Sequence, residues 1–250
     1  MNVFRIRHLA YLAVAALPLT LTTLSFGEPS VEAAPSPIPS RSRQLLVVRS
    51  AGWTASIGQL QRYRRDQGSS WQAVGEALQV NLGRRGMAWG RGLHAAQPGP
   101  VKVESDNRTP AGVFRLGSLF GYAPERPANA AASYPYIHIG VSTVCIENPR
   151  SPLYNEIIDA APTAPMLRAD GVFRLGFVIE QNMPDTVAGA GSCVFFHVQR
   201  GPAQPTHGCT SAPLPEVQSL AAWLEPEAQP VIVELPDTEY SRLKTTWALP

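Results

Sequence analysis

Charged residues are scarce in this chain, at 16% of its 250 residues, whereas soluble domains average about 25%. The formal net charge is only +2, and no block of lysines and arginines occurs, so nothing in the composition favours a nucleic-acid partner. The 24 prolines and 20 glycines argue for many turns, which excludes a coiled coil or a helical solenoid. Hydrophobic residues, at 44%, suffice for a sizeable core. These features are typical of a globular chain of one or at most two domains.

Long apolar runs are absent except near the N-terminus. Two arginines there precede an apolar run over residues 9–24, and small residues follow; this order is typical of a signal peptide cleaved near Ala33 or Ala34. A transmembrane anchor is the alternative, but a proline interrupts the run, which is short for a span of about 20 residues. The sequence predicts a signal peptide over 1–33, a Pro/Ser-rich linker over 34–43 and an exported protein without an integral membrane segment in its mature part.

Alternation of apolar and polar residues predicts one β-rich domain over 44–236, followed by a tail over 237–250. Strands are predicted over 44–50, 71–80, 86–93, 113–116, 136–146, 172–180, 192–198 and 230–235. A helix is predicted from the spacing of Leu214, Val217, Leu220, Ala221 and Leu224. The expected fold class is mainly β, a sandwich or a barrel-like domain with one or two short helices.

Cysteines are few, and an odd number in an exported protein leaves at least one thiol free or paired between chains. One arrangement pairs Cys145 with Cys193 and leaves Cys209 free. In the other arrangement Cys145 and Cys193 are simply small buried residues. A zinc site built from His197, His207 and Cys209 is a weaker alternative, because the sequence has neither H-E-x-x-H nor C-x-x-C.

The segment Thr206-His207-Gly208-Cys209 carries the clearest chemical pattern. Glycine lets another molecule's backbone come close, and the N–H groups of Gly208 and Cys209 could hold an oxyanion. A cysteine nucleophile needs a base, and the Pro/Gly-rich loop between them can return the chain so that Cys209 lies beside His197. The helix that starts downstream is expected to favour a thiolate. Cys209 and His197 are therefore the predicted catalytic pair.

These residues resemble the L,D-transpeptidase (YkuD-type) catalytic domain family, in which a histidine is followed, after a short stretch, by Ser/Thr-x-Gly-Cys. Here His197 precedes the Thr206-His207-Gly208-Cys209 segment. Three other stretches are similar to the family, and the likeness covers about residues 44–235. They are 102–114, with its Asn-Arg-Thr-Pro-Ala-Gly-Val-Phe end, 145–155 and 191–197.

The sequence departs from the family pattern at a few positions. Ser211 stands where many members carry arginine, and Ser105 stands where they carry glycine. Glu147 and Asn148 replace an acidic pair. Nearby, Asp106 and Thr109 precede a proline and are expected to form a turn rather than to act in catalysis.

The resemblance implies a periplasmic cysteine peptidoglycan transpeptidase that needs no cofactor and no metal. Cys209 would attack the carbonyl of a diaminopimelate residue in a peptidoglycan stem peptide, and His197 would serve as base and then as acid. The amine of a second stem would then form a cross-link. Thr206, His207, Tyr154 and Asn155 are the expected substrate contacts, although Tyr154 and Asn155 could instead form a turn.

Other functions remain open at the level of sequence. With water as acceptor, the same Cys/His site would make the protein an L,D-carboxypeptidase, and a different scissile bond would make it an amidase on the stems. A protein that keeps the fold without the chemistry would be a peptidoglycan-binding protein. The retention of both His197 and Cys209 favours an enzyme.

Overall fold

The computed structural model describes residues 36–161 and 164–250. Its elements are β1 (Gln44–Ser50), β2 (Ile57–Arg64), β3 (Gln72–Asn81), β4 (Met87–Trp89), β5 (Thr109–Gly121), β6 (Tyr136–His138), β7 (Thr143–Cys145), β8 (Ile157–Asp159), β9 (Leu175–Ile179), β10 (Phe195–Val198), β11 (Thr210–Ala212), α1 (Leu214–Trp223), β12 (Val231–Pro236) and α2 (Asp237–Leu243). The fold is mainly β with two short helices, which confirms the predicted class. The predicted signal peptide and the first two residues of the predicted linker lie outside the described residues.

Eight of the strands close into a barrel. They are hydrogen-bonded in the order β12-β1-β2-β3-β11-β10-β9-β5, and β5 pairs with β12 to complete the ring. β4 and β6 both pair with β5, while β7 and β8 form a separate two-stranded sheet. Closure leaves no unpaired edge within the ring. Of the two predicted architectures, the barrel is the one observed.

Two clusters of apolar side chains stabilise the fold. The main core includes Phe114, Phe177 and Phe196, which are fully buried, and the rings of Phe177 and Phe196 stack with centroids 4.8 Å apart. The smaller cluster lies next to Cys209, and its buried members are Phe120, Ile139, Met166, Cys193 and Phe195. The small cluster therefore forms the apolar support beneath the predicted catalytic cysteine.

Most predicted strands match observed ones, and β1 occupies exactly the predicted range of residues. The prediction of one strand over 136–146 is wrong, because a turn closed by the Gly140 N–H and the Thr143 hydroxyl separates β6 from β7. Strands β2, β8 and β11 have no predicted counterpart. Residues 237–250, predicted as a tail, form α2 and bury side chains such as Trp247 in the main core. No helix in the described residues is long and apolar enough to cross a membrane.

A carboxyl group is enclosed in the barrel. Glu234 of β12 is fully buried and hydrogen-bonds the hydroxyl of Thr210, the residue after Cys209. Its second oxygen has no hydrogen-bond partner among the described residues. Burial raises the pKa of Glu234 to about 8, so this side chain is a neutral acid at pH 7.

The free energy of unfolding is expected to fall as the pH rises from about 5 to about 8. In that window the unfolded chain has released the Glu234 proton while the folded chain keeps it up to a pKa of about 8, so rising pH favours unfolding. Glu234→Gln cannot ionise and should flatten this pH dependence. Its free energy of unfolding at pH 8 should exceed that of the wild type by on the order of 3 kcal/mol. Urea denaturation at pH 5.5 and pH 8 measures the free energy of unfolding of both proteins. Glu76→Gln, at an exposed position of β3, is the control. Equal pH dependence in the wild type and Glu234→Gln would contradict the prediction.

Candidate active site

The predicted catalytic pair lies on two neighbouring strands. β10 and β11 are parallel, and their register places Phe196 opposite Thr210 and His197 opposite Ser211. Cys209 directly precedes β11, so the loop between the strands returns the chain to the side of His197. Both side chains line one cleft of about 930 Å³. The sequence-predicted nucleophile and base therefore share a cavity.

Two threonine hydroxyls hold the backbone of Cys209. Thr206 Oγ1 and Thr109 Oγ1 both donate to the carbonyl oxygen of Cys209, the latter over 3.4 Å. Gly208 has φ +146°, and a Cβ there would lie 3.1 Å from the Arg108 carbonyl oxygen, so this position requires glycine. The turn is therefore set by close approaches of the 102–109 segment as well as by its own residues.

One of the two expected oxyanion donors is already engaged. The Gly208 N–H donates to Thr206 Oγ1 over 3.1 Å, because the turn curls toward the threonine side chain. By contrast, among the described residues no backbone hydrogen bond outside the helices and strands uses the Cys209 N–H. Within the described part of the chain, the Cys209 N–H is therefore the donor without such a partner, and the joint action of the Gly208 and Cys209 N–H groups stays a prediction.

The Cys209 thiol is protonated in this environment. Burial raises its pKa to about 12, although the backbone N–H of Phe195 lowers it in part. The thiol donates to the carbonyl oxygen of Cys193 over 3.6 Å. The expectation that a helix start favours a thiolate is wrong, because α1 begins only at Leu214, after β11, and burial dominates.

His197 is a neutral imidazole with a defined orientation. Its side chain is buried, and burial lowers its pKa to about 4. Nδ1 lies 2.8 Å from the Val198 carbonyl oxygen, which can only accept, so Nδ1 carries the proton and Nε2 has the free lone pair. The ring of Phe173 packs against the imidazole edge to face, with centroids 5.2 Å apart. His197 is thus in the tautomer and charge state that a general base needs.

A second cavity of about 310 Å³ adjoins the first at Cys209. Four residues line both cavities, namely Glu147, Cys193, His207 and Cys209. Lys102 lies in the second cavity and pairs with Asp106 over 2.5 Å. Asp106 also accepts the N–H groups of Val103 and Arg108, which confirms its predicted role in a turn.

The four expected substrate contacts separate into two kinds. Thr206 and His207 line the cleft, and His207 Nε2 accepts from the Arg84 guanidinium over 2.6 Å. Tyr154 and Asn155 line neither cavity around Cys209. They lie in a turn in which the Tyr154 N–H donates to the Ser151 carbonyl oxygen, which is the alternative that the sequence left open for them. They fold inward instead, because each has a hydrogen-bond partner behind the site.

Those inward contacts support the backbone beside the thiol. Asn155 accepts the Cys193 N–H over 2.8 Å and donates to the Gln181 carbonyl oxygen. Tyr154 donates to the carboxylate of Glu104. Since the Cys193 carbonyl accepts the Cys209 thiol proton, Asn155 positions a group that contacts the Cys209 thiol.

The cysteines adopt the first of the two predicted arrangements. Cys145 and Cys193 form a disulfide with Cα atoms 6.0 Å apart, and Cys209 is a free thiol. In the described residues no three His, Cys, Asp or Glu side chains are grouped so as to hold a metal ion. His197, His207 and Cys209 thus do not form the zinc ligand set considered from the sequence.

Three charged residues in the cleft were not found from the sequence. Arg168, Asp170 and Arg200 line the same cavity as His197. They come from two separate loops and fit no motif. The only sequence signal for them is that these two arginines and one aspartate lie within about 40 residues before the Thr206-His207-Gly208-Cys209 segment.

No protein-family profile and no curated protein matches this chain. The geometry and chemistry of the cleft are therefore the basis for assigning a function.

Alkylation of Cys209 by iodoacetamide is expected to be slow at pH 7 and to accelerate about tenfold per pH unit up to pH 10. Only the thiolate reacts, and burial raises the pKa of Cys209 to about 12. The rate is followed by intact mass. Cys209→Ala should take up no label, because the remaining cysteines form a disulfide. A rate that levels off below pH 9 would show that the pKa of Cys209 lies below 9 and would contradict the prediction.

Proposed function

We propose that the protein is a cysteine acyltransferase of the L,D-transpeptidase type, which acts on stem peptides of peptidoglycan in the periplasm. The observation that carries the proposal is the pairing, in one cleft, of a free thiol and a neutral imidazole whose Nε2 is unprotonated. The resemblance of His197 and the Thr206-His207-Gly208-Cys209 segment to that family supports the choice of substrate.

In the first half-reaction Cys209 attacks the carbonyl carbon of a diaminopimelate residue. The thiol proton passes to Nε2 of His197, and the new C–S bond forms as the carbonyl oxygen becomes an oxyanion. The Cys209 N–H is the backbone donor available to that oxyanion. The C–N bond then breaks, the imidazolium returns its proton to the leaving D-amino acid, and a thioester remains.

In the second half-reaction an amine attacks the thioester. His197 accepts the proton of the attacking amine, the C–S bond breaks, and the proton goes back to the sulfur of Cys209. A second stem peptide as acceptor forms a cross-link, and water as acceptor gives a trimmed stem. The adjoining cavities meet at Cys209, which supports a reaction in which two chains reach the same sulfur from different sides.

The test is incubation of the protein with a diaminopimelate-containing stem tetrapeptide that ends in D-alanine, followed by mass spectrometry of protein and products. The wild type should carry a thioester at Cys209 and release D-alanine, while Cys209→Ala should do neither. His197→Gln, which cannot act as base, should slow acylation by about 100-fold or more. Thermal unfolding of each variant serves as the control for folding.

The products separate the proposal from its alternatives. Dimeric peptides joined through diaminopimelate support the transpeptidase, whereas tripeptide alone indicates a carboxypeptidase and cleavage elsewhere indicates an amidase. Binding to cell-wall sacculi without any product, equal in the wild type and in Cys209→Ala, would indicate a binding protein. Product formation by Cys209→Ala would overturn the mechanism.

A further inference from the structure

A charged cluster lies in the wall of the cleft beside His197. Arg168 contacts the Asp170 carboxylate through Nε at 3.0 Å and Nη2 at 2.9 Å, and Arg200 contacts the same carboxylate through Nε at 3.0 Å. Two guanidinium groups thus share one carboxylate, which leaves one surplus positive charge. All three residues line the cavity that contains Cys209.

Stability does not account for this cluster. The side chains of Arg168 and Arg200 are 41% and 42% exposed, and ion pairs so exposed add little to the free energy of folding. Within the described part of the chain, both terminal nitrogens of Arg200 and Nη1 of Arg168 lack a hydrogen-bond partner. The cluster therefore presents unused donors to the cleft. Its surplus charge is partly balanced by Glu147, which lines the same cavity and interacts electrostatically with Arg168.

The positive field of the cluster reaches the catalytic base. Burial is the main cause of the low pKa of His197. The charges of Arg200 and Arg168 lower this pKa further, and the charge of Asp170 offsets part of their effect. There is also a direct path of contacts, since the Phe173 ring packs against His197 and lies 5.9 Å from the guanidinium carbon of Arg168. An anion bound at the cluster would lie in the same cavity as His197 and Cys209 and would reduce this field.

We propose that Arg168 and Arg200, held together by Asp170, bind a free carboxylate of the peptide whose carbonyl is attacked by Cys209. The inference rests on the proposed function for its reaction and adds the substrate class, a peptide acid. Planar guanidinium donors suit a carboxylate because two N–H groups can reach its two oxygens. Asp170 orients the two arginines and keeps their surplus charge at one.

Two carboxylates of the substrate share this chemistry. One is the terminal carboxylate of the D-amino acid that leaves, and the other is on the side chain of diaminopimelate. The first is attached close to the scissile amide, and the second lies at the far end of the diaminopimelate side chain. Peptides that lack one or the other therefore identify which of them the cluster binds.

The experiment measures binding by calorimetry to Cys209→Ala, which cannot form the thioester. Three peptides are compared: the diaminopimelate tetrapeptide, its C-terminal amide, and the tetrapeptide with lysine in place of diaminopimelate. The parent peptide is expected to bind at least about tenfold more tightly than the analogue that lacks the recognised carboxylate. Adding Arg200→Gln or Arg168→Gln should abolish that preference, and Arg200→Lys should retain part of it.

The control is Arg115→Gln, which removes the same charge at an exposed position of β5 outside the cleft and should preserve the preference. Equal affinity for all three peptides, or equal weakening of all three by Arg200→Gln, would overturn the inference. Turnover of the parent peptide by the wild type is measured in parallel. Selective binding without turnover would overturn the proposed reaction and leave the carboxylate site standing, whereas turnover without selectivity would do the reverse.

Discussion

The parallel pairing of β10 with β11 is the contact on which the candidate site depends. Two parallel strands that are adjacent in a sheet need a crossover connection, and here the 199–209 segment forms that connection without a helix. The register that places His197 opposite Ser211 leaves Cys209 directly before the strand, where it lines the cleft. A shift of one residue would turn the His197 side chain to the other face of the sheet. Barrel closure through β5 and β12 keeps both strands between fixed neighbours.

Burial sets the charge states of Cys209 and His197 in the free protein. It raises the pKa of the Cys209 thiol and lowers the pKa of the His197 imidazole, so both groups are neutral in the free protein. A thiolate–imidazolium pair would form only as the substrate arrives and the proton moves. A resting thiol of this kind is protected from adventitious alkylation and oxidation, because those reactions require the thiolate.

Three stretches, residues 102–114, 145–155 and 191–197, pack behind the candidate site. The 102–114 stretch contributes Thr109, which holds the Cys209 carbonyl oxygen. The 145–155 stretch contributes Asn155, which holds the Cys193 backbone, and the 191–197 stretch contributes the Cys193 carbonyl that accepts the thiol proton. The Cys145–Cys193 disulfide joins the last two stretches. Residues from all three stretches therefore hold the backbone around the Cys209 thiol.

Local pattern was enough to predict most strands, the helix over α1, the proximity of His197 and Cys209, and the free state of Cys209 as one of two arrangements. Period-two alternation and a Gly-Cys turn are properties of neighbouring residues, which a sequence displays directly. Closure as a barrel, the engaged Gly208 N–H and the inward course of Asn155 depend on contacts between distant segments. So do the protonation of Cys209 and the gathering of Arg168, Asp170 and Arg200 in one cleft. Desolvation and charge proximity arise only when the chain packs, which is why tertiary structure alone decided them.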